Sequence, residues 1–193
     1  MKKLALVLAL ILVLTFVGCS SGAVVKETDA FRFDPKTGYT CTAVPLGSSA
    51  AEFEKDIGSL MVLSEQGPVN APFPYKTCMT NDAVQLADCL GKCEVQFDEN
   101  DRLFSVTFIE YLARDTAAEH FEATRRRFTE TFGEPVRSED NGLGTQYLEW
   151  QDKKSGTALG ITYSDLGTSD PSLLIGVFEK SRYVDLGIGE WEA

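Results

Sequence analysis

One histidine and a shortage of positive charge set the first limits on this 193-residue chain. Any imidazole chemistry must run through His120. No G-x-S-x-G elbow accompanies it to present a serine nucleophile, and Asp115 and Glu119 fit helix-entry positions better than triad positions. His120 therefore reads as a residue at the border of a helix face. Against 29 Asp and Glu stand only 18 Lys and Arg, a formal net charge of −11. Such a charge repels phosphate backbones and anionic head groups, which disfavours nucleic acid and polybasic membrane adhesion. Gly142-Leu143-Gly144 and Gly187-Ile188-Gly189 lack the third glycine and the strand-to-helix setting of a dinucleotide loop. Asp98-Glu99-Asn100-Asp101 lacks the glycine and distal glutamate of a calcium loop. The cysteines offer one C-x-x-x-C spacing rather than two C-x-x-C knuckles, so no zinc site is expected. No cofactor and no metal follow from these patterns.

What the chain does have begins at its start. Lys2 and Lys3 precede a run from Leu4 to Val17 that is apolar except for Thr15. The run is about 14 residues, short of the roughly 20 needed to span a bilayer. It ends in Phe16-Val17-Gly18-Cys19, followed by Ser20-Ser21-Gly22, and a secretory leader would be cut at small residues here. The arrangement resembles the lipobox of bacterial lipoproteins. That resemblance implies removal of residues 1–18, diacylglyceryl attachment to the Cys19 sulfur, and a position on the extracytoplasmic side of the membrane. Acyl chains on Cys19 would then make the contact with the lipid bilayer. Loss of Lys2 and Lys3 would take the net charge from −11 to −13.

Four cysteines remain: Cys41, Cys78, Cys89 and Cys93. An even number in an exported chain reads as two disulfides, with three connectivities open. Residues 19–37 are small and polar and read as a tether, with Phe31 and Phe33 docking onto a domain. That domain is expected over residues 38–180, in two units of about 38–113 and 114–180. A tail over residues 181–193 is expected to fray.

Inside the domain, Gly38 to Leu46 reads as a short strand. Ser49-Ala50-Ala51-Glu52 is a capping box ahead of an amphipathic helix bearing Phe53, Ile57, Leu60 and Met61, with Gly58 placed to end it. Residues 64–74 read as a loop and Tyr75 to Thr80 as a strand. Cys93 to Asp98 and Leu103 to Tyr111 alternate as the arms of a hairpin. Thr116-Ala117-Ala118-Glu119 reads as a second capping box and opens a helix with Ala117, Phe121, Thr124, Phe128 and Phe132 on one face, closed at Gly133-Glu134-Pro135. Residues 147–150, 158–163 and 173–178 then read as three strands.

The two helix starts and the strands after them repeat at a spacing of about 67 residues, a unit too long for a solenoid. The pattern predicts an α+β fold: one antiparallel sheet with two helices packed on one face, in two tandem α-β units. With the lipobox, Gly47-Ser48-Ser49…Phe53…Gly58 and Gly133-Glu134-Pro135, the chain resembles small bacterial lipoproteins of the SmpA/OmlA type. More broadly it resembles the β-lactamase-inhibitory-protein-like fold. The resemblance implies a role in envelope assembly or in inhibiting another protein, and it carries over no catalytic residue.

Aromatic residues are the leading functional signal. Phe104, Phe108, Tyr111, Tyr147, Trp150, Tyr163 and Phe178 are many for one sheet, and those sharing its outer face would suit a protein partner. Tyr147, Trp150 and Tyr163 are the candidates. Arg126, central in Arg125-Arg126-Arg127, is a further one, although Glu122 and Glu130 at i±4 can occupy it. The expected function is a non-enzymatic binding or assembly module that contacts an envelope or secreted protein. Two alternatives stay open. One is a glycan-acting surface enzyme using Glu110 and Glu149 as paired carboxylates; the other is a small-ligand carrier with a closed cavity.

Overall fold

The computed structural model describes residues 25–185, apart from 29, 66, 68–70 and 87–88. The leader, Cys19 and residues 186–193 lie outside the described residues, as do residues 20–24 and 29 of the expected tether. Among the described residues no helix is long and apolar enough to cross a membrane.

The chain opens with a small antiparallel sheet of β1 (Lys26–Glu27), β2 (Phe31–Asp34) and β3 (Gly38–Cys41). Two of these strands, β1 and β2, fall within the expected tether. Phe31 is fully buried, with its ring edge-on to Phe108 at 6.0 Å. Burial of one such ring is worth about 1.5–3 kcal/mol and helps hold the small sheet against the main body.

Next come α1 (Ala50–Asp56), β4 (Leu60–Ser64), β5 (Tyr75–Thr80), β6 (Val84–Leu86), β7 (Cys89–Asp98) and β8 (Leu103–Tyr111). The capping box at Ser49 forms: its hydroxyl accepts from Glu52 N at 3.3 Å, and Ser49 N donates to Glu52 Oε2 at 2.8 Å. Gly58, at φ +153°, lies just beyond the helix, and Leu60 and Met61 leave its face to start β4. The second helix, α2 (Ala117–Phe132), buries the five residues its periodicity marks out. Its expected capping box does not form, because the Thr116 hydroxyl turns back to donate to the Ala113 carbonyl at 3.3 Å. Then follow β9 (Arg137–Asp140), β10 (Thr145–Asp152), β11 (Thr157–Ser164), β12 (Ser172–Glu179) and a short α3 (Lys180–Asp185). The start of the expected tail is therefore helical.

The main sheet is antiparallel throughout, in the order β4-β5-β7-β8-β12-β11-β10-β9, with β6 paired to β7 off this path. It dominates the molecule, and the helices are a minor part of an α+β layout. A single apolar cluster joins Phe31 to Phe53 of α1, Phe121 and Phe128 of α2, and Trp150, Leu159, Ile161 and Val177 of the sheet. Side chains alternate across a strand, so these residues define an inner face. Tyr147, Glu149, Gly160, Thr162, Leu174, Gly176 and Phe178 fall on the outer one.

The two expected disulfides are not formed, and all four cysteines are free and buried. Within the ladders of the described residues no cysteine faces another. Cys41 faces Phe31 across its ladder, Cys78 faces Val95, Cys89 faces Leu86 and Cys93 faces Phe108. Each thiol has an apolar residue opposite it, where a cross-strand bridge would need a second cysteine.

Candidate functional site

The outer face carries a hollow of about 420 Å³ over the middle of the sheet, within the usual range for ligand pockets. Register explains it. One row of residues runs across four strands as Glu149, Gly160, Gly176 and Thr107, each paired with the next. The two central positions have no side chains, so the row dips there. Rows two residues away carry Tyr147, Thr162 and Leu174 on one side and Phe178 on the other. Lys180 and Tyr183 of α3 complete the wall.

The two glycines are not equivalent. A Cβ on Gly176 would lie 2.7 Å from the Val106 carbonyl oxygen, so close backbone approach requires glycine there. A Cβ on Gly160 would lie 3.4 Å from Phe178 and 3.5 Å from Tyr147, which are ordinary contacts. Packing does not demand a glycine at 160.

At the β10 side sits a buried charge pair. Lys180 Nζ lies 2.8 Å from Glu149 Oε1, with side chains only 3% and 1% exposed. Glu149 also accepts from Gln151 Nε2 at 2.6 Å and from the Tyr147 hydroxyl. Burial first, and then the Glu149 charge, pushes the Tyr147 hydroxyl well above its ordinary range, so it stays a protonated donor. The Arg137 guanidinium lies over the Tyr147 ring at 5.4 Å and pairs with Glu139 at 2.8 Å. Across the hollow, the Tyr183 hydroxyl donates to Gln96 Oε1 at 2.9 Å and has Ser105 Oγ at 3.0 Å. Burial pushes Tyr183 up to about 12. Both carboxylate oxygens of Glu149 are thus engaged by neighbours. The hollow combines aromatic walls with hydrogen-bond donors.

The residues expected to bind a partner divide. Tyr147 lines the hollow. Trp150 does not: it is 1% exposed, packs near Phe128 and donates to the Gly133 carbonyl at 2.7 Å. Tyr163 stacks on Phe121 at 4.9 Å and is likewise an inner-face residue. Both alternate with the outer-face positions, so the strand period sends them to the core. Arg126 is exposed on α2, beside Glu122, Glu130 and Glu134 along a shallow depression away from the hollow. Of the other aromatics, Tyr111 is exposed, and Phe104 is covered by Phe73, Tyr75 and Tyr183.

The structure does not bring Glu110 and Glu149 together as a carboxylate pair. Glu149 is on the outer face. Glu110 reaches His120 of α2, Oε2 to Nε2 at 3.3 Å, and lines a different hollow of about 310 Å³ with Cys89, Thr124 and Arg127. The sheet separates the two carboxylates. The second hollow does gather a cysteine, a histidine and a glutamate, but burial and then the Glu110 charge push the Cys89 thiol up to about 12. A nucleophilic cysteine needs the opposite shift.

Gly160, Gly176, Lys180 and Tyr183 were not singled out by the sequence. The available signal was an isolated glycine inside each of two apolar strand runs, Leu159-Gly160-Ile161 and Ile175-Gly176-Val177, which marks a bulge or a close approach. No protein-family model matches the chain, and searches of curated proteins and of solved structures find no match either.

Proposed function

We propose that this chain is an acyl-anchored extracytoplasmic binding module, without a catalytic role of its own, that meets an envelope or secreted protein through the open face of its sheet. The observation that carries the reading is the outer-face hollow: a floor cleared by two paired glycines, aromatic walls, and a carboxylate already saturated by its neighbours. Aromatic-lined pockets of this kind are where interface energy concentrates. The anchor rests on the leader pattern and Cys19. Envelope assembly and inhibition of a secreted enzyme are the two forms such a module would take. We also read α1 with β4-β5-β7-β8, and α2 with β9 to β12, as two tandem α-β units. In support, each helix leads into an antiparallel run, and the two runs meet through their last strands, β8 and β12.

The test is site-specific photo-crosslinking in native cells. A photoreactive residue at Thr162, on the rim of the hollow, should capture one defined protein. The same probe at Glu122, exposed on α2, should not. Cys19→Ala should release the chain from the membrane fraction and reduce capture. Equal capture from both faces, or from neither, refutes the open-face reading.

A further inference from the structure

Lys180 is the odd member of the hollow. It is 2% exposed, yet its ammonium group has three N–H bonds, and among the described residues Glu149 is its one acceptor. Unspent donors on a buried cation are costly when left unmet. Lys180 also lines the hollow, where Tyr147, Phe178 and Tyr183 supply ring walls and Gly160 and Gly176 a flat peptide floor. A ligand that satisfies this set is a planar ring with one oxygen acceptor at its edge. The ring would lie between the aromatic walls, and its oxygen would take an N–H from Lys180. A second carboxylate would be repelled by Glu149, so the acceptor is neutral.

Building on the open-face reading, we propose that the hollow receives a tyrosine side chain of the protein partner, with its phenolic oxygen accepting from Lys180 Nζ. A partner, rather than a free phenol, is the source we commit to because the chain as a whole carries a net charge of −11. Basic residues flanking the tyrosine would be drawn to it and would speed docking. Tyrosine is also among the residues most enriched at binding hot spots.

The experiment is an NMR titration of the full-length chain in detergent, following the amide signals of Gly160 and Gly176. The probes are N-acetyl-tyrosinamide, N-acetyl-phenylalaninamide, the peptide acetyl-Lys-Tyr-Lys-amide and p-cresol. Both glycine signals should move saturably, with the tyrosine probe at least about tenfold tighter than the phenylalanine probe, since one met donor is worth roughly that factor. The tripeptide should bind tighter than p-cresol. Gly160→Ala, which adds a methyl at ordinary contact distance, should leave the melting temperature within about 2 °C and weaken the tyrosine probe about tenfold or more. Equal binding of the tyrosine and phenylalanine probes, no shift at either glycine, or full affinity in Gly160→Ala overturns the tyrosine assignment. A p-cresol affinity matching the tripeptide overturns the partner as source. Thr162 crosslinking reads the parent proposal separately: capture without tyrosine preference sinks only the ligand, and loss of capture sinks the surface.

Discussion

Replacing Lys180 with methionine tests whether the charge pair under the hollow is closed off from water. Methionine keeps most of the side-chain length, so the chief change is loss of the ammonium group 2.8 Å from Glu149. Both side chains are nearly inaccessible, at 3% and 1%. Removing one partner of such a pair strands the other charge, at a cost of about 3–5 kcal/mol. Glu149 keeps its hydrogen bonds from Tyr147 and Gln151, which places the loss near the lower end, about 3 kcal/mol. For a chain of this size, each kcal/mol moves the melting temperature by roughly 2–4 °C, so Lys180→Met should melt about 6–12 °C lower.

The second arm of the cycle makes the argument refutable. Adding Glu149→Gln removes the stranded charge while keeping an acceptor for Tyr147 and Gln151. The double variant should recover at least half of the loss, because replacing a buried ion pair by neutral groups is often close to neutral. Urea denaturation with unchanged m-values, alongside calorimetry, measures both arms. A single variant that costs under about 1 kcal/mol behaves as a surface pair does. That result, or a double variant no better than the single, would show that water reaches the pair and that Lys180 does not hold buried unspent donors.

Other expectations follow from the ends of the sheet and its inner face. Asp98, with its side chain 1% exposed, accepts from the backbone of Asn100 and Arg102 at 3.0 Å and pairs with Arg182 at 2.6 Å. Burial alone would push its carboxyl up, but those amides and the Arg182 and Arg102 charges outweigh it and hold it below the ordinary value of 3.8. A carboxyl depressed in the fold stabilises above its unfolded pKa and loses that contribution as pH falls through the folded one. Asp98→Asn should therefore cost about 2 kcal/mol at pH 7, with the gap to wild type closing below about pH 3.8 in urea melts across pH. Trp150→Phe should cost about 1–3 kcal/mol by leaving the Gly133 carbonyl at the end of α2 unmet, and crosslinking from Thr162 should be unchanged because Trp150 faces inward. An effect of Trp150→Phe on capture with no loss of stability would contradict that placement.

Elements with strong local signals were legible in the sequence. The α2 stripe and the β7–β8 hairpin are local patterns, and each repeats its period long enough to outweigh competing propensities. The first capping box formed and the second did not, although both sequences read alike. What separated them was the Ala113 carbonyl, which competes for the Thr116 hydroxyl and belongs to the preceding loop rather than to the helix. Strand β4 was hidden because Leu60 and Met61 also fit a helical stripe. The cysteines looked like a bridge framework because count and compartment say nothing about register, and register sets an apolar residue opposite each. The site failed in sequence for a related reason. Tyr147 and Trp150 are three apart and both aromatic, yet odd spacing in a strand puts them on opposite faces. Composition made them one cluster, and the pleat separated them.

Two local rules are broken, one of them twice, in one small area of the outer face. Glycine inside a strand costs about 0.5–1 kcal/mol relative to alanine, and two of them are directly paired in central strands. A buried ion pair, which seldom stabilises more than apolar packing would, lies one strand away through Glu149. Natural sequences tend to break such rules where function requires it. Yet Gly176 has a structural reason, since Val106 crowds its Cβ position, and it therefore says nothing about function. Gly160 has no such reason: its Cβ position is free at 3.4–3.5 Å, and alanine there would strengthen the strand at no steric cost. Packing does not account for that glycine, and the space above it is the hollow in which the proposed tyrosine would lie.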